Sequence, residues 1–528
     1  MEIPRANGLI SVSDERHEAP ADVHQQLADK TLKARLGGAP KHREKVKAAG
    51  QLLVRERLQL LFDDGWSFED GLLARFEEGL PGDAVVTCVG KVDGRDVAVI
   101  ANDFTVKAGT WGKRTFEKIT RTQEIANASG IPLVYLFDSA GARIDEQFES
   151  YAGRRAWGNI FYNQVQISGR VPQVCALFGP SPAGSAYVPA LCDYTVMVRG
   201  NATAYLGSPR LAEMVTGEKV TLEEMGGAEM HCRTSGLGDC LVDDDQEAIA
   251  AIRVWLSYLP SNWEEKPPVA PSIAAPAGRS VKDIVPPRES EVYDVHELID
   301  AVADEGTFFP YKDLFAQELV TGFIRLDGHP IGIVANQSIH RGGVLFGDSS
   351  DKAARFIWIC NAYNVPLIFL VDIAGYMIGS EVERQGIIRH GAKMLFAVAE
   401  SRVPRIAVLV RKAYGGGYLA MSGAPMQPDS VIALPTAKLA LMGPDAAVNG
   451  IHYNRIQAIK DPEERRAFIA EKQAEYAEGI DVFKIANENA VDAIVQSNDL
   501  RRELISRMAV YRKRPLVPVE RRQAVTPV

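Results

Sequence analysis

Three consecutive glycines stand at residues 415–417, inside VLVRKAYGGGYLAMSG (Val408–Gly423), where an apolar run gives way to two cations and then to a second short apolar segment. Glycine has no Cβ. A strand that ends in glycines therefore lets backbone N–H groups come close to a ligand and take φ values that other residues avoid. Donors fixed in this way stabilise negative charge as it develops in a reaction, and losing one costs about 3 kcal/mol, on the order of a hundredfold in rate. A tight turn between strand and helix is the other reading of the glycines alone. No G-x-G-x-x-G fingerprint is present here, and no Gly-Lys-Ser or Gly-Lys-Thr closes the run, so the two common nucleotide-binding loops are disfavoured.

Side chains for conventional catalysis are scarce. His390, in IIRHGAKML, reads as a surface or structural histidine of a helix. Asp138 and Asp372 stand at the ends of apolar runs, where capping the next turn is the expected role. The six cysteines (Cys88, Cys175, Cys192, Cys232, Cys240, Cys360) form no C-x-x-C pair. His231, Cys232 and Cys240 in HCRTSGLGDC fit no common metal spacing, so no metal is expected and the thiols read as small, partly buried groups.

The glycine cluster has a counterpart, because the chain repeats itself. VAVIAND from Val97 matches IGIVANQ from Ile331, and KITRTQEIANASGIPLVYLFDSAG from Lys118 matches KAARFIWICNAYNVPLIFLVDIAG from Lys352, both without a gap. RVPQVCALFG from Arg170 then meets RVPRIAVLVR from Arg402 after a two-residue shift. Several matches in one order mean two copies of one architecture. Within ALFGPSPAGSAYVPA, Gly184 and Ser185 fall opposite Gly416 and Gly417.

In each copy, short apolar runs such as VAVIA, PLVYLFD, QVCALFG and DYTVMV read as buried strands. Helical stretches alternate with them; RTFEKITRTQEIANASG carries apolar residues at Phe116, Ile119 and Ile125 and stops at Gly130 and Pro132. The alternation predicts an α/β fold with parallel, doubly covered strands, in which ligands gather at the carboxyl ends of strands. Both glycine clusters sit at such ends. The proline- and alanine-rich segment 266–290 reads as a linker, with an N-terminal extension over 1–30, a first domain over 31–265 and a second over 291–528.

Composition narrows the partners. The 528 residues carry a formal charge of −9, which argues against nucleic acid or an anionic membrane surface. The apolar runs are too short to span a bilayer, and the acid-bearing N-terminus lacks the features of a secretory or transit signal. A cytoplasmic protein is the simplest expectation.

The segments DSAGARI, AGSAYVPALCD, VTGEKVTLEEMGGAEMHCRTSG, DSSDKAARFI, GIIRHGAKML and RKAYGGGY together resemble the carboxyltransferase (β) subunits of biotin-dependent acyl-CoA carboxylases, of the propionyl-CoA and 3-methylcrotonyl-CoA types. The resemblance implies tandem crotonase-like α/β domains and a ring-shaped hexamer in which the first domain of one subunit faces the second domain of another. It also implies an acyl-CoA substrate, and a carboxybiotin carried by a separate biotin carboxylase and carrier subunit. Transfer passes through an enolate, and the proton goes to the freed biotin nitrogen, so no protein base is expected. Two developing oxyanions call for two donor clusters: Gly184 with Ser185, and Gly416 with Gly417.

The resemblance places the substrate wall at Ala140, Gly141, Ala142 and Arg143, and at Ala186, Tyr187, Tyr418 and Leu419. Arg143 would meet a CoA phosphate or form a surface ion pair. The family usually has glycine at Ser185; a nucleophilic role for this serine has no G-x-S-x-G elbow or partner histidine behind it. Propionyl-type subunits usually carry aspartate at the position of Leu419, which makes the acyl pocket here more apolar. The same half-reaction in an acyl-CoA decarboxylase is the nearest alternative, and a crotonase-like hydratase or hydrolase the next.

Overall fold

The computed structural model describes residues 22–151, 156–526 and 528. Residues 1–21 of the expected N-terminal extension lie outside the described residues. From Val23 the chain is already helical, in Val23–Arg35, Pro40–Ala48 and Val54–Leu61.

Each half builds one sheet, and the two sheets have the same plan. The first runs in the order Trp66–Asp70, Val85–Val92, Arg95–Asn102, Leu133–Phe137, Gln173–Leu177, Tyr194–Val198, Cys240–Val242. The second runs Phe309–Tyr311, Leu319–Leu326, His329–Asn336, Leu367–Ile373, Arg405–Tyr414, Ser430–Ala433, Ala493–Ile494. In both, the first three strands are antiparallel and the rest parallel. Strand starts at 95 and 133 recur at 329 and 367, and that at 173 recurs at 405, so the offsets read from the sequence are those of the fold. LVYLF, QVCAL and YTVMV are buried at every position, as continuous apolar runs covered on both faces must be.

The halves are not separate beads. One continuous apolar core includes Phe137, Trp255, Phe323 and Phe356. Trp255 stacks on Tyr194 with ring centroids 4.3 Å apart and also meets Phe309, Tyr311 and Phe323 of the second half. The helix Gly347–Ala362 buries thirteen of its sixteen residues, which marks it as internal rather than as a one-sided cover. Its Arg355 donates to the carbonyls of Cys192 and Thr526, tying the first half to the C-terminal tail. That tail returns to the first half: Trp263 donates to the Val519 carbonyl at 2.8 Å, and the Val525 N–H donates to Ser168 Oγ at 2.9 Å.

Lys118 and Lys352 occupy equivalent positions, the first half-buried and the second buried. Lys118 Nζ donates to the carbonyls of Gly82 and Val85, and Lys352 Nζ to those of Phe315 and Ala316, so each ammonium clasps the chain leading into a strand. Burial pushes Lys118 down to about 8 and Lys352 down to about 7. An unfolded lysine titrates near ~10.4, so between about pH 7 and ~10.4 the native state holds fewer protons at Lys352 than the unfolded state, and stability rises with pH across that window. Urea unfolding of the wild type is expected to gain stability from pH 7 to 9 relative to Lys352→Met. Parallel curves for the two proteins would show that Lys352 titrates as an ordinary lysine.

Candidate active site

The strand Arg405–Tyr414 ends in a corner. Gly415 turns out of it at φ +55° and starts the short helix Gly415–Ala420. The first half makes the same corner with an alanine: Ala183 has φ +54° and opens the turn Ala183–Ala186. An L-residue pays about 1–2 kcal/mol for that conformation, which glycine avoids. Beyond each corner, Gly184 with Ser185 and Gly416 with Gly417 are the second and third residues of a helical turn, whose N–H groups have no acceptor within that turn. The duplicated fold therefore presents two equivalent pairs of backbone donors at strand ends.

The glycines serve different needs. A Cβ on Gly184 would lie 2.1 Å from the Trp157 ring, and one on Gly417 would lie 2.8 Å from Ile373 Cδ1. Gly416 has room, its nearest neighbour being Tyr376 Cδ2 at 3.8 Å. Ser185 is buried, and its hydroxyl donates to the Pro182 carbonyl at 2.5 Å, so it braces the turn while its N–H is kept. Ser185→Ala is expected to leave carboxyl transfer within about threefold of wild type. A nucleophilic serine would instead lose several orders of magnitude in rate.

Beside the first cluster lies a cavity of about 450 Å³. Trp111, Phe116, Phe148 and Trp157 form its walls, with Pro182, Gly184 and Ser185 on another side. Rings continue outward from Trp157 to Phe161 and then Tyr187, each meeting the next edge-on. Sequence reasoning missed Trp111, Phe116, Phe148 and Trp157 as site residues; the density of aromatics between 148 and 162 was the available signal.

DSAGARI forms the loop over this cavity. Gly141 takes φ +97°, the Trp111 N–H donates to the Gly141 carbonyl, and the Arg143 N–H donates to the Trp111 carbonyl, each at 2.9 Å. Ala140 is held to Ala108 by its N–H, and Ala142 lines the cavity. Arg143 is part of the cavity lining, but the ion pair it forms is a buried one. Its side chain is buried, donating to Asp83 at 2.5 Å and to the Thr110 carbonyl at 2.9 Å, so the guanidinium locks the loop rather than waiting for phosphate.

Other expected wall residues divide. Ala186 is half-buried and Tyr187 exposed beside the first cluster, while Leu419 is half-buried beside the second. Tyr418 belongs to the core instead: its ring fills the space against Gly423 and its hydroxyl accepts the Ala424 N–H at 2.8 Å. His390 is held by Asp351 at 2.9 Å, in keeping with a structural role. Both ring nitrogens of His231 are engaged, by Ser235 and the Ala204 carbonyl.

Asp138 and Asp372 are not caps. Each is a buried carboxylate fixing its strand end. Asp372 receives Nε and Nη2 of Arg411 on one oxygen, at 3.1 and 2.7 Å. Position 179, equivalent to 411, is a glycine; a Cβ there would lie 2.2 Å from Asp138 Oδ1, and the cation comes from Arg57, which sits over the Phe178 ring and also binds Asp245. Burial raises the Asp138 carboxyl above its ordinary value despite the Arg57 partner.

Each cluster also carries an exposed apolar rim: Ile144, Phe148 and Tyr151 at the first, Ile378, Leu441 and Met442 at the second. Among the described residues, the lining of the cavity at the first cluster runs from Trp111 to Ser185, with none from the second half. Among the described residues no helix is long and apolar enough to cross a membrane.

Comparison with known proteins agrees with this architecture. The carboxyl transferase domain profile matches residues 45–525. The chain is 52% identical to the uncharacterized carboxylase YngE of Bacillus subtilis, over 96% of this chain and 99% of that one. It is 39% identical to the biotin-dependent 3-methylcrotonyl-coenzyme A carboxylase beta1 subunit of Mycobacterium tuberculosis, over 88% and 89% of the two chains. Its fold superposes on the transcarboxylase 12S subunit, solved as a hexamer assembly with methylmalonyl-coenzyme A bound, with a TM-score of 0.87 and 37% identity over 94% of this chain and 97% of that one. With two copies of one α/β plan, each ending in a pair of backbone donors, the chain belongs to the carboxyltransferase family of the biotin-dependent acyl-CoA carboxylases.

Proposed function

We propose that the two N–H pairs, Gly184 with Ser185 and Gly416 with Gly417, are the oxyanion donors of carboxyl transfer to an acyl-CoA, and that the acyl group lies in the aromatic cavity beside Gly184. The observation that carries this reading is the repeated corner at Ala183 and Gly415, which sets the same two N–H groups free in each half. Biotin, borne on a carrier subunit charged by a biotin carboxylase, supplies the carboxyl group and a basic ureido nitrogen. The chain's own part is electrostatic. One N–H pair meets the thioester oxygen as it becomes an enolate, and the other meets the ureido oxygen, each worth most in a site closed to water. Preorganisation comes from Asp138 and Asp372, whose buried ion pairs fix the strands that lead to both sites.

A site of this kind needs both clusters, and among the described residues the cavity at the first has no wall from the second half of its own chain. The exposed rims support an oligomer in which the first cluster of one copy faces the second cluster of another, with the hexamer of transcarboxylase 12S as the pattern. Leu419 then closes the acyl pocket from the second copy with an apolar surface.

The test is reconstitution. The purified chain, mixed with a biotin carboxylase, a biotinylated carrier, ATP and labelled bicarbonate, is expected to carboxylate acyl-CoA only when the carrier is biotinylated. A cavity of about 450 Å³ lined by Trp111, Phe148 and Trp157 predicts a higher kcat/KM for branched or longer acyl groups than for propionyl-CoA. Hydration of an enoyl-CoA by the isolated chain, or failure across acetyl, propionyl, branched and unsaturated acyl-CoAs, would sink the reading.

A further inference from the structure

A second cavity, of about 360 Å³, lies at the opposite end of the second sheet. Its lining includes Pro330, Pro366 and Pro404, each next to the first residue of one of three adjacent parallel strands. The strand Arg405–Tyr414 runs ten residues from this end to the corner at Gly415, so the cavity is roughly 30 Å from the proposed donors. It serves no step of the carboxyl transfer.

Six cations gather around it: Lys266 from the linker, Arg402 from the turn before a strand, and Arg512, Lys513, Arg514 and Arg522 from the C-terminal tail. In a chain of net charge −9 this is a concentrated positive site. Among the described residues only Arg514 has a carboxylate partner here, Asp429. Lys266 and Arg512 donate to backbone carbonyls, of Arg512 and Met508, and Arg522 Nε is buried without a partner. Burial, with the like charge of Arg402, pushes the Arg522 guanidinium below its ordinary value. Asp327 acts on Arg512 and His329 only through space. Cations held together at a partly desolvated site repel one another until an anion joins them. The prolines, Val403 and Leu516 add an apolar surface of the size that takes a small ligand.

We propose that this cavity binds an organic phosphate: a small anion with two or more negative charges on an apolar or aromatic body. Guanidinium forks suit phosphate oxygens, and the proline and leucine walls suit the body. The linker that joins the halves and the tail that crosses back to the first half meet here, so occupancy ties down both connections.

The experiment is calorimetric titration of the full chain with ADP as the organic phosphate, and with pyrophosphate and citrate as anions lacking that body or that group. ADP is expected to bind more tightly than either, and to keep its affinity in a saturating acyl-pantetheine, which fills the acyl pocket but lacks the CoA phosphates. Arg402→Gln and Arg522→Gln are each expected to weaken it about tenfold. Arg402 is exposed, so its replacement leaves the fold intact even where Arg522→Gln disturbs the tail. Absence of saturable ADP binding, displacement by an acyl-pantetheine, which lacks the CoA phosphates, or an Arg402→Gln protein that binds ADP as the wild type does would each overturn the proposal. So would loss of partner-subunit binding in these variants without any binding of ADP, which would make the cavity a protein-docking surface.

Discussion

Gly416→Pro is expected to lower the rate of carboxyl transfer by about a hundredfold to a thousandfold, the cost of one oxyanion donor, while the protein stays folded. Proline removes the N–H, and at the second position of a helical turn that N–H has no acceptor within the helix, so no helical bond is lost. A Cβ there has room as well, its nearest neighbour lying at 3.8 Å. The companion variant Gly416→Ala keeps the donor and adds only the Cβ, and should retain activity within a few-fold. Steady-state kinetics of the reconstituted complex checks both, with unfolding curves as the control. Equal losses in the two variants would mean that space at Gly416, and not its N–H, is what the reaction uses.

Arg411→Met is expected to destabilise the second half by about 3–5 kcal/mol, seen as a lower midpoint in denaturant. The Arg411 side chain is almost wholly buried; it gives Nε and Nη2 to Asp372, and Nη1 to the carbonyls of Arg288 and Glu291 at 2.9 and 2.7 Å. Methionine fills part of the volume but leaves the Asp372 carboxylate buried with only Lys412 Nζ, 3.6 Å away, to balance it. The double variant Arg411→Met with Asp372→Asn removes the stranded charge and should recover part of the loss. If the double variant is as unstable as the single, the two carbonyl contacts, and not the ion pair, hold that strand end.

Much of the fold was legible because the signals are local. LVYLF and QVCAL are unbroken apolar runs of strand length, and Gly130 ends its helix in the left-handed conformation that glycine favours. Residues that work by reaching across the structure were not legible. Arg143 pairs with Asp83, sixty positions away in the chain, and Arg57 reaches Asp138 from a helix outside the repeated segment. Arg143 also meets Glu146, three residues on, but nothing near either arginine in sequence names Asp83 or Asp138. Tyr418, adjacent to the glycines, turned into the core because its hydroxyl has an acceptor's place at the Ala424 N–H.

Patterns that repeat along the chain made the duplication and the α/β class readable before folding, and the glycines marked where the two equivalent strand-end corners lie. Only the tertiary structure showed that the first half makes its corner with Ala183 in the left-handed region, that Trp157 is what forbids a side chain at Gly184, and that aromatic rings from separate segments enclose one cavity. It also brought six cations from the linker, one turn and the C-terminal tail to a single place far from the glycines. The difference has one physical cause. Backbone conformation follows from neighbouring residues, whereas a wall or a charge cluster is made by side chains that meet only after the halves have packed around their common core.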